Sequence, residues 1–182
     1  MTDRLTRFAL LCLCTVPVWI ILRKPWKRRI PREIALCLFI AYISALLTMA
    51  LEGSWTTLAA MIASARSRLA TMNKIYLTPL TTIRRQLSAL PSDEALTQLL
   101  GNTLLFMPWG FFLPLLWKRL RPFLMITVMC LLLTCLIEGT QLFICRTVDV
   151  DDLILNFAGS MTGAGLWWMT HKICPAADRL AC

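Results

Sequence analysis

One histidine, His171, stands in the whole 182-residue chain, and only ten acidic residues stand against nineteen basic ones. With no second histidine, and with Cys12 and Cys14 in a C-x-C rather than a C-x-x-C arrangement, the spacing that holds zinc is missing. No metal centre and no cofactor is expected. Most of the eight cysteines fall inside apolar stretches, where a thiol acts as a small hydrophobe, so they do not read as a disulfide framework. No nucleophile with an adjacent base is legible either. The formal charge of +9 comes without any nucleic-acid-binding motif, so no nucleic-acid partner is expected. His171 itself closes an apolar run, where a cation suits a helix C-terminus, and no chemical role follows from it.

What the chain has instead is apolar length. Its composition is 58% hydrophobic and its mean hydropathy is +0.67, more than one buried core of this size can use. The apolar residues come in blocks of about 15 to 23, the length that crosses a hydrocarbon layer at about 1.5 Å per helical residue. The sequence predicts an all-α, polytopic transmembrane bundle of about five spans: 8–22, 33–51, 97–117, 122–144 and 153–170. The first resembles a signal-peptide core, but no small-x-small cleavage site follows it, and the basic RKPWKRR at 23–29 does. It is read as an uncleaved span that Pro17 can kink. The third carries Pro108, Gly110 and Pro114 and is expected to be bent or locally unwound.

Residues 53–96 differ in kind, mixing Arg66, Arg68, Lys74, Arg84, Arg85, Asp93 and Glu94 with apolar residues and threonines. None of this segment is expected to span. Within it 55–69 has the length of an interfacial or re-entrant helix, with a solvated loop as the alternative. The organisation is therefore a two-span hairpin at 1–52, an outer loop at 53–96, a three-span core at 97–170 and a tail at 171–182. The short connections at 23–32 and 118–121 and the tail hold six, three and two basic residues, against Arg4, Arg7 and Arg146 on the other side. That asymmetry predicts an external N-terminus, a cytoplasmic C-terminus, and external placement of 53–96 and of the acidic turn CRTVDVDD at 145–152.

This topology puts chemistry at one depth. Asn102 lies about 8 Å below the outer end of its span, Glu138 about 9 Å and Asn156 about 6 Å. Glu138 and Gln141 are three residues apart and share a helix face. Asp149, Asp152 and Asn156 form a similar stripe if the helix begins early enough, and Gly159-x-x-x-Gly163 on the same side permits close approach by the third or fourth span. An ionisable group inside a span requires water, hydrogen bonds, a counter-charge or protonation. Arg146, eight residues beyond Glu138, is the nearest cation in sequence and reaches it only if the chain turns back after Ile144. Asn102, Glu138, Gln141, Arg146, Asp149, Asp152 and Asn156 form the candidate binding set, and Gly159 and Gly163 the packing pair. Each feature has a plainer reading: amides as interhelical glue, the aspartates as a solvated turn with helix capping.

These residues also carry a family resemblance. Asn102-x3-Phe106-x-Pro108-x-Gly110, Glu138-x-x-Gln141, and Arg146-x-x-Asp149-x-x-Asp152-x3-Asn156-x-x-Gly159 together resemble the VanZ-like family over the C-terminal 80 or so residues. The YLTPL stretch at 76–80 matches the family's Asn-Leu-x-Pro-aromatic stretch in part, with Tyr76 in place of the asparagine and Leu80 in place of the aromatic. The resemblance implies a multi-pass protein of the bacterial cytoplasmic membrane. It also implies a link to resistance against the glycopeptide teicoplanin. Three functions stay open on the residues: a non-enzymatic site for an envelope lipid, glycolipid or lipid-anchored drug; an enzyme on a lipid-linked substrate, with Glu138 and Asp149 or Asp152 as acid and base; and a small proton-coupled transporter. Partners expected are membrane lipid, a lipid-linked or glycolipid ligand, and a second copy in a homo-oligomer.

Overall fold

The computed structural model describes residues 30–53 and 56–174, so the apolar run at 8–22 lies outside the described residues. Among the described residues six α-helices follow one another: α1 Ile30–Ala50, α2 Leu58–Thr71, α3 Thr81–Ser88, α4 Asp93–Leu116, α5 Phe123–Phe143 and α6 Val150–Ile173. Two short strands, β1 Ile75–Tyr76 and β2 Val148–Asp149, pair in parallel, with Ile75 opposite Val148 and Tyr76 opposite Asp149.

Helices α1, α4 and α5 are long and apolar enough to cross a membrane. Each exposes large side chains that a soluble protein would bury, such as Leu38 and Met49 on α1, Leu100 and Leu104 on α4, and Leu132 and Leu136 on α5. Helix α6 matches α4 in length at 24 residues, yet it is not among the three described helices whose hydropathy suits a membrane span. The reason is its run of small residues, which lowers hydropathy while serving packing.

That packing is specific. A Cβ placed on Gly110 would meet the Ser160 carbonyl, one on Gly159 the Thr103 carbonyl, and one on Gly163 the Met107 carbonyl. The backbones of α4 and α6 therefore lie in direct contact, and this is the most extensive helix pairing among the described residues. The Gly159/Gly163 pair thus faces the third predicted span, not the fourth. Gly139 and Gly165 have open space where a Cβ would go.

Three apolar clusters set the alternation of the long helices. Leu36 near the start of α1 packs with Leu116 at the end of α4, and Leu46 and Ala50 at the end of α1 pack with Phe106 of α4 and Ile137 of α5. Ile126 and Cys130 from the first half of α5 join Ala164 from the second half of α6. Neighbours therefore run antiparallel, and the end of α1, the start of α4, the end of α5 and the start of α6 gather at one end of the bundle. The helical assignment of α4 continues through Pro108 and Pro114 without an unwound turn. A proline at 108 leaves the carbonyl four residues earlier without its helical donor; one residue on, Tyr42 Oη donates to the Leu105 carbonyl at 2.9 Å.

Candidate functional site

The 53–96 segment folds onto the end of the bundle where the four helix termini meet. Thr57 caps α2 by accepting from the Ala60 amide at 3.4 Å, and the helix ends on Met72 with a φ of 52°. Lys74 is also left-handed, at 55°, and from there β1 runs beside β2. A helix is therefore present where the interfacial alternative placed one, and Arg68, close to its end, is buried.

Helix termini carry partial charges, and here opposite charges from elsewhere in the chain meet them. Arg68 donates through Nη1 to the carbonyls of Leu142 at 2.7 Å and Gln141 at 3.4 Å, at the C-terminus of α5. Its Nη2 reaches the carbonyls of Lys74 and Arg146, and its Nε that of Asn73. Arg146 Nη1 donates to the Met49 and Ala50 carbonyls at 2.9 and 3.1 Å, at the C-terminus of α1. The Asp151 carboxylate accepts from the amides of Leu80, Thr82 and Ile83 at the N-terminus of α3. Asp149 caps α6 by accepting from the Asp151 amide at 2.9 Å, and its other oxygen accepts from Thr82 Oγ1 at 2.7 Å. The acidic turn is thus buried at Asp149 and Asp151.

Beneath this cap lies a cavity of about 450 Å³. Its polar lining is Glu52, Thr97, Asn102, Glu138, Gln141, Arg146, Asp152 and Asn156; Leu104, Leu105, Phe106 and Ile137 are among its apolar walls. Six of the seven residues in the sequence-derived set therefore line one space, drawn from α4, α5, α6 and the turn before β2. The chain does turn back after Ile144: Cys145 adopts a φ of 61°, which brings Arg146 to the cavity. Asp149 is the exception, since its carboxylate is directed to Thr82 and the Asp151 amide.

Within the cavity, Asn102 Nδ2 donates to Asp152 Oδ1 at 2.6 Å, tying α4 to the first turn of α6. Gln141 Nε2 donates to the Ala50 carbonyl at 3.0 Å, tying α5 to α1. Glu138 is 5% exposed and Asn156 3%, and Glu138 Oε2 and Asn156 Oδ1 are buried without a hydrogen-bond partner. Such groups carry a desolvation cost that a partner would offset. Glu52, Arg68 and Asp151 were not among the sequence-derived candidates. Glu52 lies two residues past the end of α1 and reads as a span terminator; Arg68 and Asp151 read as surface charges until the fold places them.

A helical membrane protein with an acidic, amide-rich cavity at one end of its bundle is the class these features define. The VanZ/LLP1 family model matches residues 34–171, and the chain belongs to that family. The match begins well before the motif residues at 102–159, so it takes in α1 and the capping segment as well. No curated protein and no solved structure matches the chain.

Proposed function

We propose that this VanZ-like protein is a multi-pass protein of the bacterial cytoplasmic membrane whose cavity faces the outer leaflet and binds the head group of an envelope lipid, glycolipid or lipid-anchored drug. Through that binding it contributes to protection against glycopeptides of the teicoplanin type. The observation that carries the reading is the cavity itself: a polar floor of Asn102, Glu138, Asp152 and Asn156 beside apolar walls from Leu104, Leu105 and Ile137. Polar groups suit a head group and the apolar wall suits its chain, as amphiphile sites require. The two orphaned oxygens support the same reading, because a bound donor would satisfy both.

A second reading has its own support. Two carboxylates, Glu138 and Asp152, line one cavity, the minimum equipment for acid and base steps on a lipid-linked substrate. Glu138→Gln separates the two. It keeps shape and most hydrogen bonding but cannot exchange a proton. The chain and this variant, expressed in a susceptible bacterium and matched for membrane level, are compared by minimal inhibitory concentration of teicoplanin. Binding predicts a partial loss, about two- to fourfold in concentration, while acid–base chemistry predicts loss to the level of cells lacking the protein. No protection by the unaltered chain overturns the glycopeptide assignment.

A further inference from the structure

The cavity's donors and acceptors are unequally engaged. On the donor side, Asn102 gives a hydrogen bond to Asp152, Gln141 gives one to the Ala50 carbonyl, and Arg146 gives two to the last carbonyls of α1. On the acceptor side, Glu138 Oε2 and Asn156 Oδ1 have no hydrogen-bond partner, although both residues are more than nine-tenths buried and line the space. The charges lean the same way. Glu138 and Asp152 share the cavity with Arg146, whose guanidinium is already engaged by the Met49 and Ala50 carbonyls, in a protein whose net charge is +9.

Resting on the lipid-site reading above, we propose that the group recognised in this cavity is a primary ammonium, carried by a lipid head group or an amino sugar, with Glu138 and Asn156 as its acceptors. An ammonium offers three N–H donors and one positive charge, matching two open oxygens and the acidic excess. An anionic head group fits poorly: it would face the Glu138 and Asp152 carboxylates, and the cation that could hold it already caps α1. A neutral polyol would satisfy the oxygens but leave the acidic excess uncompensated. Asn102 and Gln141 are positioning residues, holding α6 and α1 in register with Glu138.

The test uses the full chain purified in detergent and follows its melting temperature during titration with four short-chain lipids. Phosphatidylethanolamine presents the ammonium, and phosphatidylcholine keeps its charge but has no N–H. Phosphatidylglycerol presents hydroxyls on an anion, and monoglucosyl diacylglycerol presents hydroxyls without charge. The proposal expects phosphatidylethanolamine to bind at least tenfold more tightly than phosphatidylcholine, with Glu138→Gln and Asn156→Leu each erasing most of that difference. Glucosamine in free form, competing at millimolar concentration, would show that an amino sugar supplies the same group. Tighter binding of the glucosyl lipid, lost in Glu138→Gln, overturns the ammonium while keeping the lipid site. Equal binding of all four, unchanged in both variants, overturns both. If Asn156→Leu fails to fold, the nearly isosteric Glu138→Gln still decides.

Discussion

Arg68 illustrates how a charge can be structural in a membrane-associated fold. It is 7% exposed, and its guanidinium reaches five carbonyls, those of Asn73, Lys74, Gln141, Leu142 and Arg146. Its planar fork suits this, because five fixed donors can serve several loop carbonyls at once. Replacing it with methionine would keep the aliphatic bulk and leave those carbonyls without the guanidinium. Arg68→Met is therefore expected to destabilise by roughly 2–4 kcal/mol, read as a fall in the denaturation midpoint in detergent. Protease cleavage should rise at Arg84 and Arg85 in the loosened segment. A variant as stable and as protease-resistant as the parent would show that water replaces the guanidinium at no cost. Nothing local in the sequence marks Arg68 out from Arg66, which stays exposed; only the meeting of α2 with the end of α5 separates them.

At the scale of the element, the α4–α6 pair sets the shape of the site, because its backbone contact brings Asn102 within hydrogen-bond reach of Asp152. The glycines make that contact testable. Gly163→Ala drives a methyl into the Met107 carbonyl, and neither backbone can yield as a side chain would. Gly165→Ala, two residues on, enters open space. The first should cost about 1–3 kcal/mol and weaken ligand binding with it; the second should be neutral or slightly stabilising through helix propensity. Equal melting temperatures for the two variants would refute backbone contact between α4 and α6. Much of this element level was legible beforehand. The boundaries of the apolar runs lie within a few residues of α1, α4, α5 and α6; for the first three, hydropathy over about 20 residues is a strong signal, and for α6 it is weaker. Of the bend or local unwinding expected from Pro108, the unwinding is absent, since α4 stays helical through it. Proline removes one donor, but a tyrosine from another helix, which no local rule foresees, supplies a hydroxyl beside the gap.

For the molecule as a whole, the candidate site was readable because its residues sit on regular helices whose antiparallel order fixes which ends coincide. Depth then follows from counting residues, and six of the seven polar side chains do line one cavity. What the sequence withheld was the cover. Two-residue strands such as β1 and β2 have no periodicity to detect, and the pairing of 75–76 with 148–149 joins segments more than seventy residues apart. The pairing nonetheless sharpens the topology question, since it obliges the 53–96 segment and the 145–152 turn to lie on the same side of the membrane. Lys118, Arg119 and Arg121 mark the opposite end of the bundle, and positive residues favour the cytoplasm. We therefore predict that cysteines placed singly at positions 75 and 148, with the native cysteines replaced, react with an impermeant maleimide added to intact cells. A cysteine at position 119 should react only after the membrane is opened. Agreement between 75 and 148 is required by the strand pairing whatever the orientation, so disagreement would refute the fold of the cap. Labelling of both solely from the cytoplasmic side would keep the fold but move the cavity to the inner leaflet, and an externally presented drug could then no longer be its direct ligand.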